Sequence, residues 1–104
     1  MKAALILSTF PDAARARQIA QTLVQERLAA CANVLPAVES IYRWQGKVEQ
    51  AAEALVLLKT TAAAQGRLMA RLKELHPYET PEILAFRPED GLPAYLRWIE
   101  DSVD

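Results

Sequence analysis

Consecutive apolar residues in three short segments constrain the fold of this chain more than any other feature. The segments span residues 5–7, 55–58 and 83–86, and each is too short for a helix of ordinary length. In a β-strand, successive side chains point to opposite faces of the sheet, so strands of this composition are apolar on both faces. A sheet that contains them needs cover on both sides.

The length and composition indicate one folded domain. A chain of 104 residues has the usual size of a single domain, and no repeat or Pro/Gly-rich linker divides it. Hydrophobic residues make up 52% of the chain, which excludes a disordered polypeptide. We therefore expect a single domain over residues 1–104.

Charge and hydropathy argue against nucleic-acid and membrane partners. The formal net charge is −1, and like charges do not cluster into a basic patch. Apolar stretches such as 3–7 and 54–58 are at most five residues long, far shorter than the roughly 20 residues that a membrane span requires. The short first stretch also does not resemble a secretory signal. With Cys31 as the single cysteine, which we expect to be buried and inert, a reducing cytoplasmic location fits best.

Residue periodicity predicts an alternation of strands and helices. Apolar residues at steps of three and four predict the helices, and apolar segments bounded by turn residues predict the strands. Pro36 indicates a bulge or a sheet edge, and Gly46 indicates a tight turn that joins two long strands into a hairpin. The predicted strands span 2–9, 31–44, 47–61 and 82–86, and the predicted helices span 12–29, 61–76 and 92–102.

This order of elements is that of an α+β fold, a ferredoxin-like βαββαβ sandwich with a long β2-β3 hairpin and an extra C-terminal helix. Its first two helices should cover one face of the sheet. We expect that no further segment is available for the second face, so another subunit of a closed symmetric oligomer should cover it. Acidic residues at the end of the last helix oppose its dipole, and we expect the tail 100–104 to be frayed.

Five strings of the sequence together resemble the CutA family, the divalent-cation tolerance proteins. The most specific combination is a Trp-x-Gly-Lys hairpin, residues 44–47, with a His-Pro-Tyr-x-x-Pro-Glu turn, residues 76–82. The resemblance covers almost the whole chain. The five strings span residues 26–34, 40–49, 58–61, 76–83 and 95–98.

The resemblance implies a tight homotrimer of ferredoxin-like subunits that is similar in architecture to the PII signalling trimers. It also implies a cytoplasmic protein that takes part in metal-ion response and has no established catalytic activity. In the family, copper ligands are associated with a Cys near the end of the first strand and with a His pair before the Pro-Tyr turn. Here these positions are Ser8 and Leu75-His76, so only His76 matches.

His76 is the candidate metal ligand. It is the only histidine of the chain, and a neutral imidazole is the commonest metal ligand in proteins. Glu79 and Glu82 follow three and six residues later and could supply oxygen ligands. The alternative is a structural role, in which His76 ends the helix by hydrogen-bonding a carbonyl of its last turn.

Lys59 ends an apolar strand, where a lone charge needs a partner. Glu79 or Glu82 could form that ion pair, and an anionic ligand is the alternative. If a ligand-binding cleft lies between subunits, we expect Lys59, Tyr78 and Glu79 to line it, with Glu82 close by.

Tyr42 and Trp44 alternate along the second strand and therefore share one face. Aromatic residues favour strands and interfaces, so packing on a neighbouring subunit is the first interpretation. A place in the wall of the ligand cleft is the second.

The leading interpretation is a non-enzymatic homotrimer that binds Cu(II), another divalent cation or a small anionic ligand in clefts between subunits. A PII-like signalling trimer or a scaffold without a metal role is the alternative. An acylphosphatase-like hydrolase is disfavoured, because residues 9–12 contain neither the glycine nor the arginine that would hold a phosphate.

Overall fold

Residues 2–104, which this computed structural model describes, fold into four strands and three helices in the predicted order. The strands are β1 (Ala3–Phe10), β2 (Cys31–Trp44), β3 (Lys47–Thr61) and β4 (Ile83–Phe86), and the helices are α1 (Ala13–Gln25), α2 (Gln65–Leu75) and α3 (Pro93–Ser102). Among these described residues, no helix is both long and apolar enough to cross a bilayer.

The four strands form one antiparallel sheet in the order β2-β3-β1-β4. Because β3 lies between β1 and β2, the β1-α1-β2 unit is split, and the predicted ferredoxin-like arrangement is confirmed. The register of β2 shifts between Leu35 and Val38, so Pro36 lies in a bulge, and β2 is also an edge strand. Gln45 and Gly46 both have positive φ, 49° and 78°, as a two-residue hairpin turn requires.

Helices α1 and α2 cover one face of the sheet and form the main core. This face comprises the even-numbered residues of β1 and β3, among them Ile6 and Leu58, which are completely buried. Leu23 of α1 and Leu68 of α2 pack against them. The apolar stripes that predicted the helices are therefore the surfaces that bury this half of the sheet.

Helix α1 ends four residues before its predicted end at residue 29. Arg27 adopts a positive φ of 61°, and the N–H groups of Arg27 and Leu28 donate to carbonyls one turn back. This pattern closes a helix in the way usually associated with a glycine at the left-handed position. Helix α1 therefore ends well before Cys31, and Cys31 begins β2 beside Lys59 of β3.

Helix α2 begins slightly later than predicted. The hydroxyl of Thr61 accepts a hydrogen bond from the N–H of Ala64 at 3.1 Å, so Thr61 caps the turn that precedes the helix. The helix itself begins at Gln65. It ends before Pro77, as predicted from the steric restriction that proline places on the preceding residue.

Helix α3 covers one end of the second sheet face. Ile99 and Val103 pack against the small side chains of Ala3, Ala30 and Ala64. The expectation that no segment of the chain is available for this face was therefore wrong at this end. The small residues let the helix approach closely enough to cover the start of β1.

The tail after α3 is also ordered, so the expectation that it frays was wrong. Val103 is buried, and Arg27 Nε donates to the Asp104 carboxylate at 2.7 Å. Arg67 donates to the backbone carbonyl of Asp104 at 2.6 Å. These two arginines offset the unfavourable position of acidic groups at the end of a helix.

The rest of the second face is apolar and incompletely covered. We call it the open face, and it consists of Leu5, Leu7, Leu35, Leu55, Leu57, Leu84 and Phe86. Leu7 pairs with Leu57 on one side and with Leu84 on the other, so the surface is continuous across β3, β1 and β4. Leu84 and Phe86 remain 50% and 49% exposed. A continuous apolar surface of this kind is typical of an interface.

Two buried hydroxyls on the helix-covered face give a matched test of the core. Ser8 and Thr60 are both completely buried, but the Ser8 hydroxyl has no partner within residues 2–104, whereas Thr60 donates to the Leu28 carbonyl at 2.7 Å. We expect Ser8→Ala to leave the free energy of unfolding unchanged or to raise it by up to about 1 kcal/mol. We expect Thr60→Val to lower it by about 1 kcal/mol.

Urea unfolding of both variants measures this difference. Replacing Ser8 removes a group that is desolvated and unpaired, whereas replacing Thr60 leaves a carbonyl without its partner. A larger loss of stability in Ser8→Ala than in Thr60→Val would contradict the expected roles of the two hydroxyls.

Candidate functional site

His76 is the first residue after α2, at the place where the chain leaves the helix for the sheet. Its backbone is extended, and its N–H donates to the Leu72 carbonyl at 2.9 Å. The backbone therefore closes the helix. His76 thus makes the helix-ending hydrogen bond of the structural alternative through its backbone N–H, while its ring is turned toward β1.

Both nitrogens of the His76 ring bind other parts of the same chain. Nδ1 accepts from the backbone N–H of Tyr78 at 3.1 Å, so it carries no proton. Nε2 therefore carries the proton and donates to the Thr9 carbonyl at 2.8 Å. The ring stacks on Phe10 with centroids 4.5 Å apart and is 8% exposed. This geometry joins the end of β1 to the loop after α2.

Any metal ion bound by His76 would have to displace one of these two hydrogen bonds. The Thr9 bond uses the protonated nitrogen, and the Tyr78 bond uses the lone pair that a metal would need. Within residues 2–104, three or more His, Cys, Asp or Glu side chains do not come together in a way that could hold a metal ion. The role of His76 as a ligand stays a prediction.

Tyr78 lies two residues after His76 and reaches across to β3. Its hydroxyl donates to the Glu53 carboxylate at 2.7 Å, and its ring lies 5.0 Å from that of His76. Burial, and then the bond to the Glu53 carboxylate, raise the pKa of Tyr78. The phenol therefore remains protonated and acts as a donor at neutral pH.

Glu53 is the residue of this site that sequence reasoning missed. It lies opposite Val38, directly beside the bulge in β2, within an otherwise apolar part of β3. The available signal was a lone acid in an apolar strand close to the predicted bulge. A charge in that position requires a hydrogen-bond partner, and Tyr78 supplies it.

The two predicted acidic residues of the loop follow Tyr78 along the chain. Glu82 accepts a hydrogen bond from the Thr9 hydroxyl at 3.3 Å, and Glu79 is exposed. The loop after α2 is thus attached to β1 through both His76 and Glu82. We call this group, comprising Thr9, Glu53, His76, Tyr78 and Glu82, the loop cluster.

Lys59 is not part of the loop cluster. It pairs with Leu5 of β1, whereas Thr9 pairs with Leu55, so four residues, or roughly 13 Å of strand, separate the two positions. Ion pairs of Lys59 with Glu79 or Glu82 are not present within residues 2–104. The expectation of such a pair was wrong for the single chain, because the loop crosses the opposite end of β1.

Tyr95 and Cys31 are the neighbours of Lys59 instead. The Lys59 ammonium lies 5.8 Å from the centroid of the Tyr95 ring, and the Tyr95 hydroxyl is 3.8 Å from the Cys31 sulfur. Burial acts to lower the pKa of Lys59, but the favourable interactions of its ammonium group with Tyr95 and Cys31 outweigh it, so this pKa is raised. Lys59 is thus a cation at the border of the open face, and Cys31 is partly rather than fully buried.

Tyr42 and Trp44 lie at different distances from the hairpin turn. Tyr42 is close enough to Tyr78 for its phenol to contribute to the raised pKa of that group. Trp44 pairs with Lys47 beside the turn and is 58% exposed. The structure thus places Tyr42 near the loop cluster and Trp44 at the tip of the hairpin.

The fold and these contacts define a ferredoxin-like domain with an apolar open face, a long hairpin and a loop fixed to β1 by a histidine. Residues 4–102 match the family model of the CutA1 divalent ion tolerance protein. The chain belongs to this family.

Sequence relatives cover nearly the whole chain. It is 48% identical to the divalent-cation tolerance protein CutA of Thermus thermophilus over 98 residues, which are 94% of this chain and 95% of that protein. It is 43% identical to the protein of the same description from Pectobacterium atrosepticum, over 97% of this chain and 92% of the relative.

Solved structures of the family share the fold. CutA of Xylella fastidiosa superimposes with a TM-score of 0.95 at 47% identity, over 100% of both chains. A protein of Archaeoglobus fulgidus, described as a periplasmic divalent cation tolerance protein, gives a TM-score of 0.93 at 34% identity, over 98% of this chain and 99% of the other. The predicted fold class is confirmed by these similarities.

The buried imidazole makes stability depend on pH. Burial lowers the pKa of His76 below 6.5, opposed by the bond to Thr9 and by the charge of Glu53. The unfolded chain therefore binds a proton at a higher pH than the folded chain does. The contribution of His76 to stability is fully present above 6.5 and is lost as the pH falls through the lower, folded-state pKa.

We expect the wild-type protein to lose more stability than His76→Gln when the pH falls from about 7.5 to about 5. Glutamine does not titrate, and other groups titrate equally in both proteins. Urea unfolding at the two pH values measures this difference. An equal loss in both proteins would show that His76 does not need to be neutral in the folded state.

The Tyr78–Glu53 bond is the second contact to test. We expect Tyr78→Phe to lower the free energy of unfolding by about 1 kcal/mol, since the bond involves a charged acceptor but lies only partly inside the protein. A double-mutant cycle with Glu53→Gln measures the coupling between the two residues. Fully additive effects of the two substitutions would contradict a direct interaction.

Proposed function

We propose that this protein is a non-enzymatic homotrimer that takes part in the tolerance of divalent metal ions, including copper. It binds a divalent cation or a small anionic ligand in clefts between its subunits. The proposal rests on the open face together with membership of the divalent ion tolerance family. The family supports the role in metal tolerance, and the open face supports the assembly.

The open face supports an oligomer because its side chains are contiguous and only partly covered. Leu7, Leu57 and Leu84 lie side by side on three neighbouring strands. Covering them with a second apolar surface removes them from water at a gain of about 25 cal/mol per Å². A closed ring of identical subunits buries such a surface on every copy, and the resemblance found in the sequence favours three copies.

The borders of the open face support the position of the clefts. At one border, the carboxylates of Glu53 and Glu82 present oxygen atoms of the kind that hard divalent cations prefer, and the Tyr78 hydroxyl orients Glu53. A neighbouring subunit could complete their coordination, and His76 would join them only if it released one of its hydrogen bonds. Copper also accepts imidazole, so His76 remains the residue to vary.

The border at Lys59 favours the second candidate function, a PII-like signalling trimer that binds a small anion. The ammonium lies beside Tyr95 and Cys31, and in residues 2–104 it has no carboxylate within ion-pair distance. Assembly would bury this cation further, so an anionic group from outside the chain would stabilise it.

The non-enzymatic role and the cytoplasmic location are parts of the proposal. The description of the family refers to divalent ion tolerance and names no catalysed reaction. Residues 9–12 have neither glycine nor arginine, which disfavours an acylphosphatase-like site. A single free cysteine suits a reducing compartment, although the relative from Archaeoglobus fulgidus is described as periplasmic.

Native mass spectrometry of the purified protein, first metal-free and then with increasing Cu(II), tests the proposal. We expect a species of three times the subunit mass of 11.6 kDa. Leu57→Glu should yield monomers, because it places a charge in the centre of the apolar interface. Ala70→Glu, on the exposed side of α2, should remain trimeric. A monomeric wild-type protein would contradict the proposed assembly.

The same titration counts bound ions. We expect the trimer to take up three ions, or one ion on its axis, and we expect His76→Gln to reduce this number. A wild-type trimer that binds no Cu(II) would remove direct copper binding from the proposal. Binding that does not change in His76→Gln would assign the ligands to the carboxylates instead.

A further inference from the structure

A concave site lies at the other end of the sheet from the loop cluster. It is a pocket of about 410 Å³ between the start of β1, the segment after β4 and the first turns of α3. This volume is within the range of small-molecule sites. The residues that line it include Lys2, Ala3, Arg87, Glu89, Asp90 and Leu96.

The pocket is lined by two cations and two anions that do not form ion pairs within 4.0 Å of one another in residues 2–104. Lys2 and Arg87 are positively charged, and Glu89 and Asp90 are negatively charged. Across residues 2–104, the ion pairs within 4.0 Å do not include any of these four side chains. Both signs of charge are therefore available to a ligand within one small volume.

Two of these side chains are held in place by their own hydrogen bonds. Arg87 donates through Nε and Nη2 to the Gln65 side-chain oxygen, at 3.1 and 2.8 Å. Asp90 accepts from the backbone N–H of Gly91 at 2.8 Å. A ligand that bound them would not have to order these two groups, which reduces the entropic cost of binding.

The floor of the pocket is apolar and closely packed. Leu96 lies against the cluster formed by Ile99 and Val103, and Ala3 lies beside it. The loop rests directly on Leu96, since a Cβ on Gly91 would be 3.1 Å from its Cδ2 atom. The pocket thus combines a fixed apolar surface with separated charges of both signs.

We propose that this pocket binds a free α-amino acid with an apolar side chain, in its zwitterionic form. The cations Lys2 and Arg87 would bind the carboxylate, Glu89 and Asp90 would bind the ammonium group, and the side chain would lie on Ala3 and Leu96. Because all four charged residues are exposed, water would solvate any that a ligand with only one charge does not reach, and such a ligand would gain contacts with either the cations or the acids but not with both. The inference is independent of the proposed function, because it shares no residue with the open face or the loop cluster.

Titration of the full-length protein with a panel of amino acids tests this inference. Alanine, valine, leucine, methionine and phenylalanine are added separately, and binding is followed by the amide chemical shifts of Gly91 and Leu96. We expect saturable shifts with at least one member of the panel. The methyl ester and the N-acetyl derivative of that amino acid each lack one charge, and each should bind at least about tenfold more weakly.

Charge-removing variants locate the site. Arg87→Gln and Glu89→Gln should each weaken binding by about tenfold or more. The matched controls Arg97→Gln and Glu100→Gln, on exposed positions of α3, should bind as the wild type does. Amide spectra of each variant without ligand verify that it is folded.

Three results would overturn the inference. One is the absence of saturable binding for the whole panel up to about 20 mM, which corresponds to a free energy too small for a specific site. The second is equal binding of the amino acid and of both derivatives. The third is unchanged binding in folded Arg87→Gln and Glu89→Gln. The native mass spectrum tests the proposed trimer, whereas the amino-acid titration tests the pocket. Failure of either proposal can therefore be recognised separately.

Discussion

Strands β1 and β3 have apolar side chains on both faces, and the rest of the structure depends on how those faces are covered. Helices α1 and α2 bury the face that contains Ile6 and Leu58. The other face receives α3 at one end and is otherwise open. A single chain of this length thus covers its sheet only in part, and in the proposed trimer burial of the remaining apolar surface would drive assembly.

The loop cluster depends on the same sheet. Its histidine stacks on Phe10 at the end of β1, and its two ring nitrogens fix the backbone of Thr9 and Tyr78. Tyr78 then reaches Glu53 beside the bulge in β2. The loop therefore has one defined position at the border of the open face, which is where a neighbouring subunit could complete a cleft.

The sequence predicted the elements that follow from periodicity and from strongly restricted residues. The helix stripes, the bulge at Pro36 and the turn at Gly46 are local properties, and the structure confirms them. The sequence did not predict that Arg27 would end α1 early, because non-glycine residues seldom adopt its φ. Lys59 and Tyr78 were expected in one cleft, yet their separation depends on strand register, which local patterns do not specify. Glu53 was missed because its partner is 25 residues away in the chain.

The accessibility of the leucine methyl groups to a soluble paramagnetic probe decides whether the open face is buried between subunits. If it is, Leu7, Leu57 and Leu84 are covered in the assembled protein, whereas Leu92, which is 70% exposed and outside the open face, remains in contact with solvent. We predict weak broadening of the first three methyl resonances and strong broadening of the fourth. Broadening of Leu84 as strong as that of Leu92 would mean that the open face is not an interface.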